Sequence, residues 1–156
     1  IREYFHAAFG HYFITASADA IAKLDAGQFV GWTSTGRTFK AYQNEGAGTV
    51  RVCRFFTEAF APKSSHFYAP RGTGCEPVFD NKDWQYEGEV FHVVASSAAG
   101  TCPAGTQPIY RLYNRGQTGA PNHRYTNDPA VRNQMLAQNF QPEGNGVEGV
   151  GFCAPL

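Results

Sequence analysis

Apolar and polar positions alternate with a two-residue period through several short segments of this chain, the pattern of strands with one buried face. Glu3-Tyr4-Phe5, Arg54-Phe55-Phe56 and Arg111-Leu112-Tyr113 each read as a short aromatic strand. His11-Tyr12-Phe13, His66-Phe67-Tyr68 and His123-Arg124-Tyr125 read as a second strand, and residues 32–39, 84–94 and 147–152 as a closing one. A helical period fits two places. Ser17 can cap a helix with Ile21 and Leu24 on one face, ended by Gly27. Asp128 can cap another, with Pro129 in the first helical position and Val131, Met135 and Leu136 as its apolar stripe. The matching stretch 71–77 is too rich in glycine and proline for more than a turn.

These segments fall into three sets at near-equal intervals, each closed by a Gly-x-x-Phe ending (Gly36 to Phe39, Gly88 to Phe91, Gly149 to Phe152). The chain therefore reads as three copies of one unit, about 1–50, 51–104 and 105–156, within a single domain, 1–156. One such unit cannot bury its aromatic face alone, whereas three closed around an axis can. The expected fold is mainly β with short helices, three pseudo-symmetric repeats arranged like a β-trefoil. The helices depart from a regular trefoil unit of four strands. An open array of three would leave apolar ends exposed.

Apolar residues make up 42% of the sequence, enough for a core, and 13 basic residues balance 13 acidic ones. That neutrality argues against nucleic-acid binding, which needs a basic stripe. No apolar run approaches the roughly 20 residues of a membrane span. Cys53, Cys75, Cys102 and Cys153 lack metal-type spacing, and their even number with few lysines favours two disulfides in an oxidising compartment, extracellular or periplasmic. The repeat boundaries favour Cys53–Cys75 within the second unit and Cys102–Cys153 bracketing the third. Because Ile1 opens directly into a strand, the sequence is expected to be a mature or excised part of something longer.

Val52-Cys53-Arg54-Phe55-Phe56, Ser65-His66-Phe67-Tyr68, Trp84-Gln85-Tyr86-Glu87-Gly88 and Tyr110-Arg111-Leu112-Tyr113-Asn114 resemble the units of a repeat family of unknown function. That family occurs in secreted bacterial and fungal proteins, often appended to hydrolases or other extracellular domains. The resemblance covers essentially the whole chain and implies a covalently linked catalytic or surface domain as a partner. Three departures stand out. Glu3 occupies the place of Arg54 and Arg111, Thr35 that of Glu87 and Glu148, and Asn145 that of Trp32 and Trp84.

The second unit is the most complete. His66, Tyr68, Trp84, Tyr86 and Glu87 combine flat aromatic faces with a carboxylate and an imidazole, the residue set that a sugar ring requires. Trp84 and Tyr86 share one face of a regular strand, and Glu87 takes the other. Trp32 and Glu148 extend the candidate set into the other units. Three matched histidines on a small triangle could hold zinc, but hydrogen bonds within each unit are the expectation, with no metal or cofactor. Gly-x-Ser-x-Gly, His-Glu-x-x-His and a phosphate loop are all missing. The sequence thus points to a non-catalytic extracellular module binding polysaccharide or cell-wall glycan. The alternative is a structural or assembly module whose aromatics are all core.

Overall fold

Strand β1 (Arg2–His6) lies between β2 (His11–Thr15) and β3 (Trp32–Thr38) in a three-stranded antiparallel sheet. The same order recurs in the middle third, where β4 (Thr49–Phe60) lies between β5 (Lys63–Pro70) and β6 (Gln85–Val94). In the last third β7 (Thr106–Tyr113) is flanked by β8 (His123–Thr126) and by a strand split in two, β9 (Gln141–Glu143) and β10 (Val150–Pro155). Pairing of β10 with β6 at Cys153 and Val94 fuses the last two thirds into a seven-stranded sheet, which curls into a half-barrel. This computed structural model describes residues 1–72 and 74–156, and the protein it describes is mainly β. Each third has a central and two flanking strands, not the four strands of a regular trefoil unit.

The helices follow their local signals. Ser17 caps α1 (Ala18–Asp25) by accepting from the Ala20 amide, Leu24 is its buried residue, and Gly27 follows at φ +70°. Asp128 caps α3 (Pro129–Ala137) by accepting from the Ala130 amide, and Val131 and Met135 bury against Leu112. Between them α2 (Glu76–Phe79) is one short turn, in the stretch where glycine and proline limit the helix. Thr73 of that stretch lies outside the described residues. Cys53 is bridged to Cys75 and Cys102 to Cys153, the pairings that the division into thirds predicts.

The Gly-x-x-Phe endings are packing devices. Gly36, Gly88 and Gly149 sit at φ +75°, +115° and +72°, a region that favours glycine. Each lies beside or within a register shift and turns the following phenylalanine inward. Phe39, Phe91 and Phe152 meet in one core cluster with Ile14, Val52, Tyr68, Ile109 and Tyr125, so all three thirds contribute to it.

Register alters one expected match. Tyr4 pairs with Phe13, Phe55 with Phe67, and Leu112 with Arg124. By this alignment Tyr12, not His11, stands with His66 and His123, while His11 stands with Ser65 and Asn122. The histidine phrase is thus one residue out of step in the first third.

Strands β2, β5 and β8 lie at sheet edges, where outward N–H and C=O groups lack a strand partner. Side chains supply bonds to β2 and β5. The Tyr125 hydroxyl donates to the Tyr68 carbonyl at 2.8 Å and accepts from the Tyr68 amide at 2.9 Å. Tyr68 in turn donates its hydroxyl to the Ile14 carbonyl. Asn122 serves β2 likewise, accepting from the Tyr12 amide and donating to its carbonyl, and it also donates to Ser65 Oγ. His11 Nδ1 bonds the Ser64 carbonyl across the same centre.

Loss of the Tyr125 hydroxyl strands two buried backbone groups, whereas loss of the Tyr68 hydroxyl strands one. Tyr125→Phe should therefore cost about 3 kcal/mol and Tyr68→Phe about half that. Urea denaturation of the two variants measures the order, and equal losses would contradict it.

Candidate functional site

Where one third meets the next, aromatic side chains interleave. At the first junction Trp32 contacts Phe13, Phe13 contacts His66, and His66 contacts Phe56, with centroids 5.9, 4.6 and 4.9 Å apart. At the second, Trp84, Phe67, His123 and Tyr113 repeat the series at 6.2, 4.9 and 4.9 Å. At the third the middle ring is replaced by a cation. Arg124 lies 4.1 Å over the Tyr12 ring, and Tyr12 packs on Phe5 at 4.7 Å.

Beneath each series lies an ion cluster. Glu87 Oε2 accepts from Arg54 Nε at 2.8 Å and lies 3.3 Å from His66 Nε2. Glu143 Oε2 lies 2.9 Å from His123 Nε2 and 3.7 Å from Arg111 Nε. A carboxylate only accepts, so His123 Nε2 carries the hydrogen and donates. In the first third Glu3 takes the arginine's place, and the partner comes from the last third. Arg124 donates to both Glu3 oxygens at 2.9 Å, and Thr35 donates to one of them. The departures at positions 3 and 35 thus belong to one charge-inverted version of the same cluster.

Burial strips water from His66 and His123 and lowers both imidazoles below their ordinary range, against the raising pull of Glu87 and Glu143. His11 is lowered by burial as well. Burial also works to raise Glu87 and Glu143, but the histidine and arginine beside each outweigh it and hold the carboxyls low.

The clefts open at these junctions. One of about 250 Å³ is lined by Trp84, Tyr113, His123 and Glu143 with Asn81 and Pro121. Another of about 180 Å³ is lined by Phe5, Tyr12, Asn114, Gln117, Gln138 and Phe140.

The expected site residues divide accordingly. Trp84 reaches the second-junction cleft, half-buried against Phe67. His66 and Glu87 pair with each other at the first junction, on the opposite face of the sheet. Tyr86 is 39% exposed, beside Phe55 and Phe79 and away from His66. Tyr68 is 2% exposed and is a core residue holding the strand edges. Trp32 packs half-buried against His6 and Phe13. Glu148 sits in an exposed turn, where its carbonyl accepts from Arg132.

Register gives the place of Glu87 to Glu143, since Leu112 pairs with Pro142 as Phe55 pairs with Tyr86. The place of the tryptophans falls to Phe140, not Asn145. Residues 144–149 interrupt the strand between β9 and β10 and displace the expected match. The signal that could have located Glu143 was its position just before this glycine-rich insertion, three residues after Phe140, as Glu87 stands three after Trp84. Tyr113 was visible only as part of a strand. Among the described residues no group of three or more His, Cys, Asp or Glu is placed to hold a metal ion. No helix among them is long and apolar enough to cross a membrane.

The histidines make stability depend on pH. As pH falls below about 6.5, the unfolded chain takes up protons that buried His11, His66 and His123 resist, so stability declines until their lowered folded values are reached. A second decline begins below about 4.5, as Glu87 and Glu143 are protonated and lose their partners. Melting temperatures measured between about pH 7 and pH 5 should fall, and His123→Gln should flatten part of the fall.

No curated protein and no solved structure shows significant similarity to the chain. A family model described as "Domain of unknown function (DUF5648)" matches residues 1–150, and that description assigns no activity. The match spans nearly all of the sequence, and the chain belongs to this family.

Proposed function

We propose that this protein is a non-catalytic extracellular binding module for polysaccharide or cell-wall glycan, accessory to a linked enzyme or surface protein. One observation carries the reading. At the second junction Trp84 and Tyr113 offer aromatic faces in the same cleft as the His123–Glu143 pair and the Asn81 amide. Aromatic surface supplies affinity for the C–H face of a sugar, and the polar groups fix its hydroxyls. The two disulfides are compatible with an extracellular location.

The same reading includes the architecture. The three thirds are taken as copies of one unit closed around a pseudo-threefold axis, as in a trefoil. Their matching strand orders and registers support this. Weak sites at successive junctions would then act together, since linked sites raise avidity without new contacts. A structural or assembly module is the second reading, favoured by the burial of Tyr68 and Tyr125 in the core.

Polysaccharide pull-downs and glycan arrays separate the two. Trp84→Ala and Asn81→Ala, each verified as folded by circular dichroism, should weaken glycan binding about tenfold. A protein that retains no glycan at high concentration would sink the binding reading.

A further inference from the structure

A third cleft, of about 530 Å³, lies between the first and middle thirds, away from Trp84. Its volume falls within the roughly 300–1,000 Å³ of small-molecule sites. Ile14, Val90 and Phe91 give it apolar walls, and Thr15, Ser17 and Gln43 add hydroxyls and an amide. Among the described residues Arg54 is the one charged side chain in the lining. Glu87 occupies its Nε, and no hydrogen bond from a described residue occupies its two terminal nitrogens. The lining therefore offers a guanidinium edge and carries no carboxylate.

The space is particular to this junction. Arg111 stands in the same register one third later, but there Gly144, Asn145 and Gly151 close in and leave about 40 Å³. Its guanidinium is stacked 5.1 Å over the Phe67 ring. In the first third the position is Glu3, already saturated by Arg124 and Thr35. The middle third thus keeps an arginine that neither neighbour has free, beside a cleft that the other junctions fill. The floor is rigid, because Tyr68 and Ile14 are tied to each other by the Tyr68 hydroxyl.

We propose that this cleft binds a small hydroxylated carboxylic acid, of the size and chemistry of one or two uronic acid residues. The carboxylate pairs with the terminal nitrogens of Arg54, in the planar geometry that guanidinium favours. The apolar face of the ring lies on Phe91 and Val90, and the hydroxyls reach Thr15, Ser17 and Gln43. The site is separate from the Trp84 cleft and does not rest on the glycan reading of that cleft.

Calorimetric titration of the whole chain with galacturonate and digalacturonate, against galactose as the neutral control, tests it. The acids should bind at least about tenfold more tightly than galactose, and Arg54→Gln should remove that difference, as expected for loss of a charge-assisted bond. Arg54 also holds Glu87, so Ala16→Phe is the second variant. Ala16 is exposed at the cleft wall, and a phenyl ring there narrows the space while every member of the ion cluster keeps its own side chain. It too should remove the preference for the acids over galactose. No binding of either acid, equal binding of galactose, or a preference for the acids that survives Ala16→Phe would overturn the proposal.

Discussion

Everything in this fold depends on how three sheet edges are brought together without strand pairing. Strands β2, β5 and β8 meet side by side, and each presents backbone donors and acceptors towards the interior. Buried and unmet, each such group would cost about 1–3 kcal/mol. On β2 and β5 the protein meets them with side chains drawn from another third. Tyr125 spans both the amide and carbonyl of Tyr68, Tyr68 reaches Ile14, and Asn122 spans both groups of Tyr12. These contacts pin one third to the next at a fixed height. The aromatic series and the ion clusters can then form only in one register.

A second constraint is local charge balance. Two clusters are built on arginine, glutamate and histidine, and the remaining one on Glu3, Arg124, Thr35 and Tyr12. The inverted cluster is the most deeply buried. Its guanidinium reaches both carboxylate oxygens, the pairing that offsets desolvation best. Removal of either partner would leave an uncompensated charge in the interior, so Glu3 and Arg124 make sense only as a pair.

Much of the framework was legible in the sequence because it rests on local signals. Alternation located the strands, Ser17 and Asp128 located the helix starts, and the division into thirds located both disulfides. The Gly-x-x-Phe endings were legible as a recurrence, though their role in aiming Phe39, Phe91 and Phe152 needs the positive φ at each glycine. The site was harder to read. Residues 144–149 shift the last strand, so the place of Glu87 passed to Glu148 on paper and to Glu143 in space. Tyr68 has the composition of a sugar platform and the position of a core strut, a distinction made by which strand edge faces it. Contacts between thirds, such as Phe67 with His123, leave no trace in spacing within a third.

The two disulfides are unevenly distributed. One closes a loop inside the middle third and the other ties the segment just before β7 to the final strand, and the sheet of β1, β2 and β3 holds none. That sheet is attached by noncovalent contacts through Glu3, Tyr12 and Ile14, the Glu3–Arg124 ion pair among them. The molecule therefore has a covalently restrained body and a segment free to detach before the rest unfolds. Opening would proceed in two stages, with amide protons of residues 2–38 exchanging ahead of those around the bridges.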